Sequence, residues 1–322
     1  MFSTSRKKKI GVVRGGPSHE YNFSLDTGAH VLMCLEDECD TKDILIDKDG
    51  KWIVAGKYTN PEKALWDLDV VFNALHGAYG EDGKIQDILE AHSIPYTGSD
   101  SFSSASALNK QTAKKFFKAY GLETPFYKMF SREEGRDADI ALGIFNTFPL
   151  PLIIKPASSG ASFGINSVFN FTDLEKAVAH AFQYGDTILA EEYIDGVAVT
   201  CGVVEHYRDR ELYTPFPVQI KLPHKSIFLE YEKNNPIEYM VPAPIGKVEN
   251  ENIQELSKLA HRILGLRHYS ASDFIISPGR GIFLLETNSL PHLGSHSPFV
   301  SALEALGSSR DEFIKHILSL VK

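Results

Sequence analysis

Two apolar segments near the end of the chain, separated by a tight turn, constrain the fold more than any other sequence feature. Residues 273–277 and 282–288 are mainly apolar, and the sequence Pro-Gly-Arg-Gly lies between them. Strand-like segments joined by such a turn predict a β-hairpin. Residues two positions apart in a strand point to the same face, so Glu286 and Asn288 are expected to share one face. The hairpin would also bring Asp273 beside them.

The three polar side chains of this hairpin predict a cation site. Carboxylate and amide oxygens are the hard ligands that Mg2+ prefers, and Mg2+ usually shares such ligands with phosphate. A lone Glu-x-Asn pair would be interpreted more simply as solvated turn residues. The second carboxylate on the partner strand and the His- and Ser-rich segment 291–297 favour a functional site. We therefore predict Asp273, Glu286 and Asn288 as metal ligands.

Composition excludes several classes of protein. A length of 322 residues suits two or three domains. The formal net charge of -9 argues against a nucleic-acid partner, because phosphate contacts need clustered Lys and Arg. Three cysteines without disulfide or zinc spacing indicate a reducing, cytoplasmic compartment. The apolar residues 10–13 are too few for a signal peptide, and no segment is long enough to cross a membrane.

Strand-like and helical patterns alternate in the first hundred residues and predict an α/β fold. Residues 10–13 form an apolar strand, residues 14–20 a glycine-containing loop, and helical spacing continues to Leu35. A second buried strand covers residues 70–75 and ends at His76. Open α/β sheets bind ligands at the carboxyl ends of their strands, which makes His76 a candidate binding residue. An ordinary loop histidine fits its position equally well.

The middle of the chain contains a strand and loop that suit a phosphate group. Residues 151–156 predict a buried strand containing Lys155, and the small residues 157–164 follow it. Backbone N–H groups of such a loop can bind phosphate oxygens while a lysine supplies a point charge. The loop lacks the Gly-Lys-Ser/Thr order of a P-loop. We interpret it as a phosphate-binding loop, and a flexible hairpin tip is the alternative.

Helical patterns flank this strand and loop. Residues 104–120 predict one amphipathic helix that ends at Gly121. Its four lysines, at positions 110, 114, 115 and 118, are expected in solvent, as most helical lysines are. Thr172 and Glu175 match a capping box and predict the start of another helix.

Two further segments suggest how a nucleotide would be held. The apolar residues 188–190 lead into the acidic and aromatic segment 191–196. A strand end of this kind can hold a purine through backbone hydrogen bonds and stacking. Residues 221–242 are polar and irregular, which predicts a mobile loop over a site. We place domain boundaries near residues 99 and 195.

Six blocks of polar and small residues stand out along the chain. They are Gly15-Gly16-x-Ser18-x-Glu20-x-x-x-Ser24, Leu75-His76-Gly77 with Gly80-Glu81-Asp82-Gly83, Pro95-Tyr96-Thr97-Gly98-Ser99, Ile154-Lys155-Pro156 with its small-residue loop, Glu191-x-Tyr193-Ile194, and Leu285-Glu286-x-Asn288 with Ser295-His296-Ser297. In combination they resemble the ATP-grasp ligases, and most closely the D-alanine–D-alanine ligase family. The resemblance covers nearly the full length.

The resemblance implies a three-domain α/β ATP-grasp architecture with domains at residues 1–99, 100–195 and 196–322. It implies an ATP-dependent carboxylate–amine ligase that forms a dipeptide for peptidoglycan through an acyl phosphate. The expected cofactors are ATP and Mg2+, with Mn2+ as an alternative ion. Amino acids are the expected small-molecule substrates, and a homodimer formed through the N-terminal domain is the assembly typical of the family.

The resemblance also implies roles for residues in the nucleotide site. Lys110 and Lys155 would contact ATP phosphates, and Asp273, Glu286 and Asn288 would bind Mg2+. The residues that would line the adenine pocket are Glu191, Glu192, Tyr193 and Ile194. Phe228 of the mobile loop would close the pocket, and Lys233 of the same loop would also contact the nucleotide.

The amino-acid subsites follow from the same resemblance. Glu20 would hold the ammonium group of the first amino acid, and His76 would lie near its carboxylate. Ser297 would bind the carboxylate of the second amino acid. Catalytic candidates are Glu20, Ser162 of the small-residue loop, and His292.

The sequence departs from the family pattern around the chemistry. The conserved serine of the small loop is Ala161, the ribose-contacting glutamate is Ala198, and the arginine before the first metal aspartate is Ala271. His292 replaces a glycine that helps form the oxyanion site. The Lys-Tyr pair of the mobile loop reads Lys233-Asn234 or is shifted by one position. These changes leave the ATP and metal interpretation intact and leave the amino-acid specificity open.

Three hypotheses therefore follow from the sequence. The main one is a D-alanine–D-alanine ligase. A second keeps the ATP-grasp chemistry and joins other amino acids or a hydroxy acid. A third is an ATP-binding protein that has lost turnover, which the altered oxyanion residues favour and the retained metal ligands oppose.

Overall fold

The computed structural model describes residues 6–160, 162–221, 238–294 and 297–322. Three β-sheets follow one another along the chain, each with its own helices. This arrangement confirms the predicted α/β class. The predicted domain boundaries at 99 and 195 fall between the sheets and stay predictions.

The first sheet has five strands, with a parallel part and an antiparallel part. Its elements are β1 (Lys9–Gly15), α1 (Tyr21–Leu35), β2 (Asp40–Ile46), β3 (Trp52–Val54), β4 (Lys57–Thr59), α2 (Pro61–Leu65), β5 (Val70–Asn73) and α3 (Lys84–Ala91). The strand order is β4-β3-β2-β1-β5, and β1 runs parallel to both β2 and β5. The carboxyl ends of β1 and β5 therefore lie side by side, and the loops that follow them meet at one edge.

Two helices, α4 (Ser101–Leu108) and α5 (Lys110–Ala119), replace the single helix predicted over 104–120. The break falls at Asn109, which has extended backbone angles. Its side chain accepts a hydrogen bond from the backbone N–H of Thr112 at 2.9 Å and so caps α5. Asparagine is among the best N-cap residues, and apolar spacing alone cannot separate a capped restart from a continuous helix.

The second sheet has four strands, all paired antiparallel. Its elements are β6 (Tyr127–Ser131), α6 (Asp137–Phe145), β7 (Leu152–Pro156), β8 (Asn166–Val168), α7 (Phe171–Ala181) and β9 (Thr187–Glu192), in the strand order β6-β9-β7-β8. Helix α7 begins after Asn170, whose side chain accepts a hydrogen bond from the Asp173 backbone N–H. The predicted start at Thr172 was therefore two residues late.

The third sheet has six strands and contains the predicted hairpin. Its elements are β10 (Val197–Tyr207), β11 (Arg210–Tyr213), β12 (Val218–Lys221), β13 (Glu238–Met240), α8 (Lys247–Ile263), β14 (Tyr269–Ser277), β15 (Gly281–Asn288), α9 (Pro298–Ala305) and α10 (Arg310–Leu320). The strand order is β13-β12-β10-β14-β15, with β11 paired to β10. β14 and β15 pair antiparallel, which confirms the hairpin. Most of the predicted loop over 221–242 lies outside the described residues, and β13 lies near its end.

The first and third sheets share one hydrophobic core. Val12 and Phe72 of the first sheet belong to the same buried cluster as Tyr269 and Phe313 of the C-terminal part. A substrate site between these two parts would therefore be bounded by elements that pack into the same core. In the part of the chain that the structure describes, no helix combines the length and apolar character needed to span a membrane.

The junction between these parts contains a buried histidine that should make stability pH-dependent. The backbone N–H of Gly98 donates to His268 Nδ1 at 2.9 Å. Burial lowers the pKa of His268 from 6.5 to about 4, although Glu205 opposes the shift. Between these pH values the unfolded chain binds a proton that the folded chain does not, so the free energy of unfolding decreases as the pH falls.

His268→Asn should reduce this pH dependence by at most about 1.4 kcal/mol per pH unit. His268 has φ +66, a conformation that asparagine tolerates, and the amide oxygen can still accept the Gly98 N–H. The measurement is denaturant unfolding between pH 7 and 4.5, with exposed His92→Asn as the control. Identical slopes in wild type and His268→Asn would contradict the assignment.

Candidate functional site

The predicted contact between the two hairpin carboxylates is confirmed. Asp273 of β14 and Glu286 of β15 pair directly across the two strands, and Ala271 pairs with Asn288. A register shift follows Asp273, so that the next pair is Phe274 with Leu284. The shift lies on the side away from Asn288, so the two-residue spacing from Glu286 to Asn288 is preserved.

The two carboxylates are electrostatically different. Burial and then the neighbouring charge of Glu286 raise the pKa of Asp273 to about 7. Burial opposes ionisation of Glu286, but the ammonium groups of Lys110 and Lys155 outweigh it and hold the pKa of Glu286 below its usual value. Lys110 Nζ lies 3.0 Å from Glu286 Oε2 and donates to the Ser159 carbonyl at 2.6 Å. Glu286 is therefore held in its ionised form, and its negative charge opposes ionisation of the paired Asp273.

This donor set fits a hard divalent cation. Two facing carboxylates repel each other, and a cation between them would relieve the repulsion that raises the pKa of Asp273. Asn288 Oδ1 accepts the Leu290 N–H at 2.8 Å, which leaves one lone pair available. Across the described ranges no group of three or more His, Cys, Asp or Glu side chains could hold a metal. The amide oxygen of Asn288 stays the predicted third ligand beside the two carboxylates.

One cavity collects most of the predicted site residues from all three parts of the chain. It is bounded by the hairpin, the loop after β1, the small-residue loop and the start of α9. The predicted residues that line it are Glu20, Ser162, Asp273, Glu286, Asn288, His292 and Ser297. A cation site and two candidate amino-acid subsites thus open into the same space.

Glu20 lies against the small-residue loop and is only 7% exposed. A Cβ atom at Gly160 would be 2.4 Å from Glu20 Oε1, so the loop approaches the carboxylate as closely as glycine allows. Burial and then the nearby charge of Glu81 raise the pKa of Glu20 to about 8. A cation that approaches Glu20 would favour the ionised carboxylate. This suits the predicted role of Glu20 in binding the ammonium group of the first amino acid.

His76 lies behind the cavity wall. Its Nδ1 is 3.1 Å from the Leu290 carbonyl and its Nε2 is 2.9 Å from Thr27 Oγ1. A carbonyl only accepts, so Nδ1 carries the proton and Nε2 accepts from the threonine. Burial and then His292 lower the pKa of His76 to about 3, which keeps it neutral. The ring of His76 packs edge-on against His292, with the ring centres 5.3 Å apart. Its role near a substrate carboxylate stays a prediction.

His292 forms part of the cavity wall, where its ring packs edge-on to Phe23 at 5.0 Å. Its Nε2 lies 3.8 Å from Asp26 Oδ2, and this buried nitrogen has no hydrogen-bond partner among the described residues. Burial lowers the pKa of His292, although Asp26 opposes the shift. A Cβ atom at Gly294 would be 2.1 Å from His292 Cε1 and 2.2 Å from Asp26 Oδ2, so the arrangement requires glycine there.

The two candidate serines differ in how they are held. Ser297 caps α9, and its Oγ accepts the Phe299 backbone N–H at 3.2 Å. Its hydroxyl proton stays available for a carboxylate. Ser162 lies within the small-residue loop at φ +60 and is half-buried in the cavity wall.

A buried lysine–glutamate cluster lies beside the hairpin. Lys155 Nζ is 2.8 Å from Glu191 Oε2, and Lys114 Nζ is 3.0 Å from Glu191 Oε1. All three side chains are at most 3% exposed. Each of the two Glu191 carboxylate oxygens therefore faces its own buried ammonium group.

The remaining nucleotide predictions lie at the end of β9. Glu192 accepts the Phe126 N–H at 2.9 Å and pairs with Arg280 at 3.1 Å. Tyr193 packs edge-on to Phe169 at 5.6 Å, and Ile194 is buried with its neighbours in the hairpin. Phe228 and Lys233 lie outside the described residues. The segment can therefore present backbone groups and an aromatic face, as predicted for an adenine pocket.

Sequence reasoning missed two buried charges near the site. Lys114 is 0% exposed and Lys110 only 5%, so the expectation that the lysines of this helix lie in solvent is wrong for both. The spacing of four residues between them places both on one face and was the available signal. Glu81 accepts the Gly77 N–H at 2.9 Å and lies 3.1 Å from Ser289 Oγ, which ties β5 to the end of the hairpin.

Comparison with known proteins adds independent information. Two family models match the chain, one described as D-ala D-ala ligase N-terminus over residues 55–99 and one as D-ala D-ala ligase C-terminus over residues 116–319. A D-alanine–D-alanine ligase of Carboxydothermus hydrogenoformans is 34% identical, with 97% of each chain covered. One from Leptospira interrogans is 32% identical, with the same coverage of both.

Two solved ligase structures share the fold of this chain. The VanG D-Ala:D-Ser ligase from Enterococcus faecalis has a TM-score of 0.82 at 28% identity, covering 98% of this chain and 99% of that one. D-alanyl-alanine synthetase A from Vibrio cholerae has a TM-score of 0.85 at 25% identity, covering 98% of both. The likeness extends over all three sheets, and the predicted three-domain architecture is confirmed.

Proposed function

The chain belongs to the D-alanine–D-alanine ligase family of ATP-grasp enzymes, and on that premise we propose that it joins two D-alanine molecules with ATP. The dipeptide would serve as a peptidoglycan precursor, made in the cytoplasm. Mg2+ rather than Mn2+ is the proposed ion, and a homodimer is the proposed assembly.

The observation that carries the proposal is the single cavity shared by the acidic hairpin and the two amino-acid subsites. Asp273 and Glu286 face the same space as Glu20 and Ser297. A ligase must hold a phosphoryl donor, an ammonium group and a carboxylate within reach of one another. These side chains have the charges for that task.

When bound, ATP supplies the phosphoryl group that activates a substrate carboxylate as an acyl phosphate, and Mg2+ neutralises the phosphate charge. Asp273, Glu286 and Asn288 would hold the ion. Lys110 and Lys155 would bind phosphate oxygens, and the small-residue loop would exclude water by closing against Glu20.

The amino acids would be held on opposite sides of the reacting carbon. The carboxylate of Glu20 would bind the ammonium group of the first amino acid. The Ser297 hydroxyl would donate to the carboxylate of the second, which orients its amine for attack. His292 and Phe23 form part of the wall of the same cavity as Glu20.

The test is product formation from defined amino acids. Purified protein with Mg2+ and ATP should release phosphate with D-alanine and form a species with the mass of the dipeptide. L-alanine should give no product. D-serine and D-lactate belong in the panel because they separate D-alanine specificity from the depsipeptide and mixed-dipeptide alternatives.

Three outcomes would contradict the proposal in different ways. Product formed preferentially from another pair would retain the ligase chemistry and reject D-alanine as both substrates. Nucleotide binding without phosphate release in any mixture would support a binding protein. Absence of nucleotide binding would reject the site itself.

A further inference from the structure

Lys114 is a fully buried ammonium group without a role in the reaction proposed above. Its Nζ lies 3.0 Å from Glu191 Oε1 and 2.5 Å from Thr124 Oγ1, and it sits 5.5 Å from the centre of the Tyr127 ring. Helix α5 therefore inserts a charge between β9 and the segment before β6. Lys114 is therefore not a solvent-exposed helix lysine, and the free-energy cost of burying its charge must be offset by the groups it pairs with.

The charges around Glu191 do not balance. Lys114 and Lys155 both pair with this one carboxylate, at 3.0 and 2.8 Å. The nearby Lys110 has its own partner in Glu286. With all groups ionised, the cluster of Lys114, Lys155 and Glu191 carries one net positive charge in a buried place. An anion that approached Lys155 would compensate that charge.

We propose that Lys114 is a positioning residue for nucleotide binding. It fixes Glu191 from the side opposite Lys155, so that the Lys155 ammonium is held at the phosphate site, and it supplies the uncompensated charge that attracts the polyphosphate. The inference rests on the proposed nucleotide site and adds a residue that acts through Glu191 rather than by touching ATP.

The cluster should respond to pH. Burial lowers the pKa of Lys114 to about 8, although Glu191 opposes the shift. The other charged or titratable groups that act on Lys114 are Lys155 of β7, Glu286 of β15 and Tyr127 of β6, whose pKa burial raises. Above pH 8 Lys114 loses its proton and the net charge of the cluster becomes zero. Nucleotide affinity should therefore weaken at alkaline pH because of this one residue.

The experiment compares Lys114→Met with Lys115→Met, an exposed lysine one position away on the same helix. Calorimetry would measure binding of a non-hydrolysable ATP analogue with Mg2+ and no amino acid. At pH 7 Lys114→Met should bind about tenfold more weakly than wild type, as expected for loss of one charge interaction of about 1.4 kcal/mol. Between pH 7 and 9 the difference in affinity between wild type and Lys114→Met should disappear, and Lys115→Met should follow wild type; the other titrating groups of the site are common to all three proteins and affect each of them.

Two results would overturn the proposal: unchanged affinity of Lys114→Met at pH 7, or the same alkaline weakening in Lys114→Met as in wild type. A structural role alone would lower the melting temperature without removing the pH response. Removal of one partner from a buried ion pair is destabilising, but in Lys114→Met the Glu191 carboxylate keeps Lys155 as a partner at 2.8 Å. If Lys114→Met does not fold, constant wild-type affinity from pH 7 to 9 would itself refute the idea. Dipeptide synthesis by wild type is assayed separately, so failure of the proposed function is distinguishable.

Discussion

Glu286→Gln should lower kcat/KM by about 10³-fold, because the substitution removes a charged ligand from the proposed cation site. Glutamine keeps the size of the side chain and one oxygen donor. It removes the negative charge that holds the Lys110 ammonium at 3.0 Å. The pKa of Asp273 should fall at the same time, since the Glu286 charge contributes to its rise to about 7. The main loss is therefore electrostatic.

The pattern of binding distinguishes this effect from general damage. Lys110, released from Glu286, should still contact phosphates, so nucleotide binding without Mg2+ should be retained. The gain in affinity that Mg2+ normally provides should be lost. The measurements are steady-state kinetics across Mg2+ concentrations and calorimetry with and without the ion.

Glu211→Gln is the matched control, because Glu211 lies exposed on β11 of the same sheet. Its kinetics should equal those of wild type. Near-normal turnover of Glu286→Gln at ordinary Mg2+ concentrations would show that the hairpin does not hold the ion, whatever the effect on stability.

Local sequence patterns predicted the part of this site that depends on strand periodicity. The alternation in 282–288 placed Glu286 and Asn288 on one face, and the short turn brought Asp273 opposite them. The register shift after Asp273 was not predicted, because its cause is pairing between strands rather than composition. It did not matter for the site, since it falls on the far side of the acidic pair.

Contacts between distant segments could not be predicted in the same way. Apolar spacing shows which face of α5 is buried, but not that Lys114 on that face meets a carboxylate of β9. The position of His76 also depends on the third part of the chain, whose Leu290 carbonyl accepts its ring proton. Such residues are buried and paired at the same time, and a single sequence shows neither property.

Glu20→Gln should weaken binding of the first amino acid by about 100-fold, because truncating one partner of a buried charge pair costs several kcal/mol. Burial raises the pKa of Glu20 to about 8, so the free protein carries a proton there at pH 7. An ammonium group binds the ionised form, and binding at pH 7 should release that proton to the buffer. As the pH falls below 8, the apparent KM of wild type for the first amino acid should rise about tenfold for each pH unit.

Glu20→Gln resembles the protonated carboxyl at every pH. It should therefore show neither the proton release on binding nor the rise of KM below pH 8. Calorimetry in two buffers of different ionisation enthalpy measures the released proton, and kinetics at saturating ATP measure the KM. Glu62→Gln, an exposed substitution on α2, is the control and should keep the wild-type profile. Glu81, whose pKa burial raises to about 7, also acts on Glu20 through its charge, so proton release is measured on Glu81→Gln as well. Equal proton release by wild type and Glu20→Gln would remove Glu20 from the ammonium subsite.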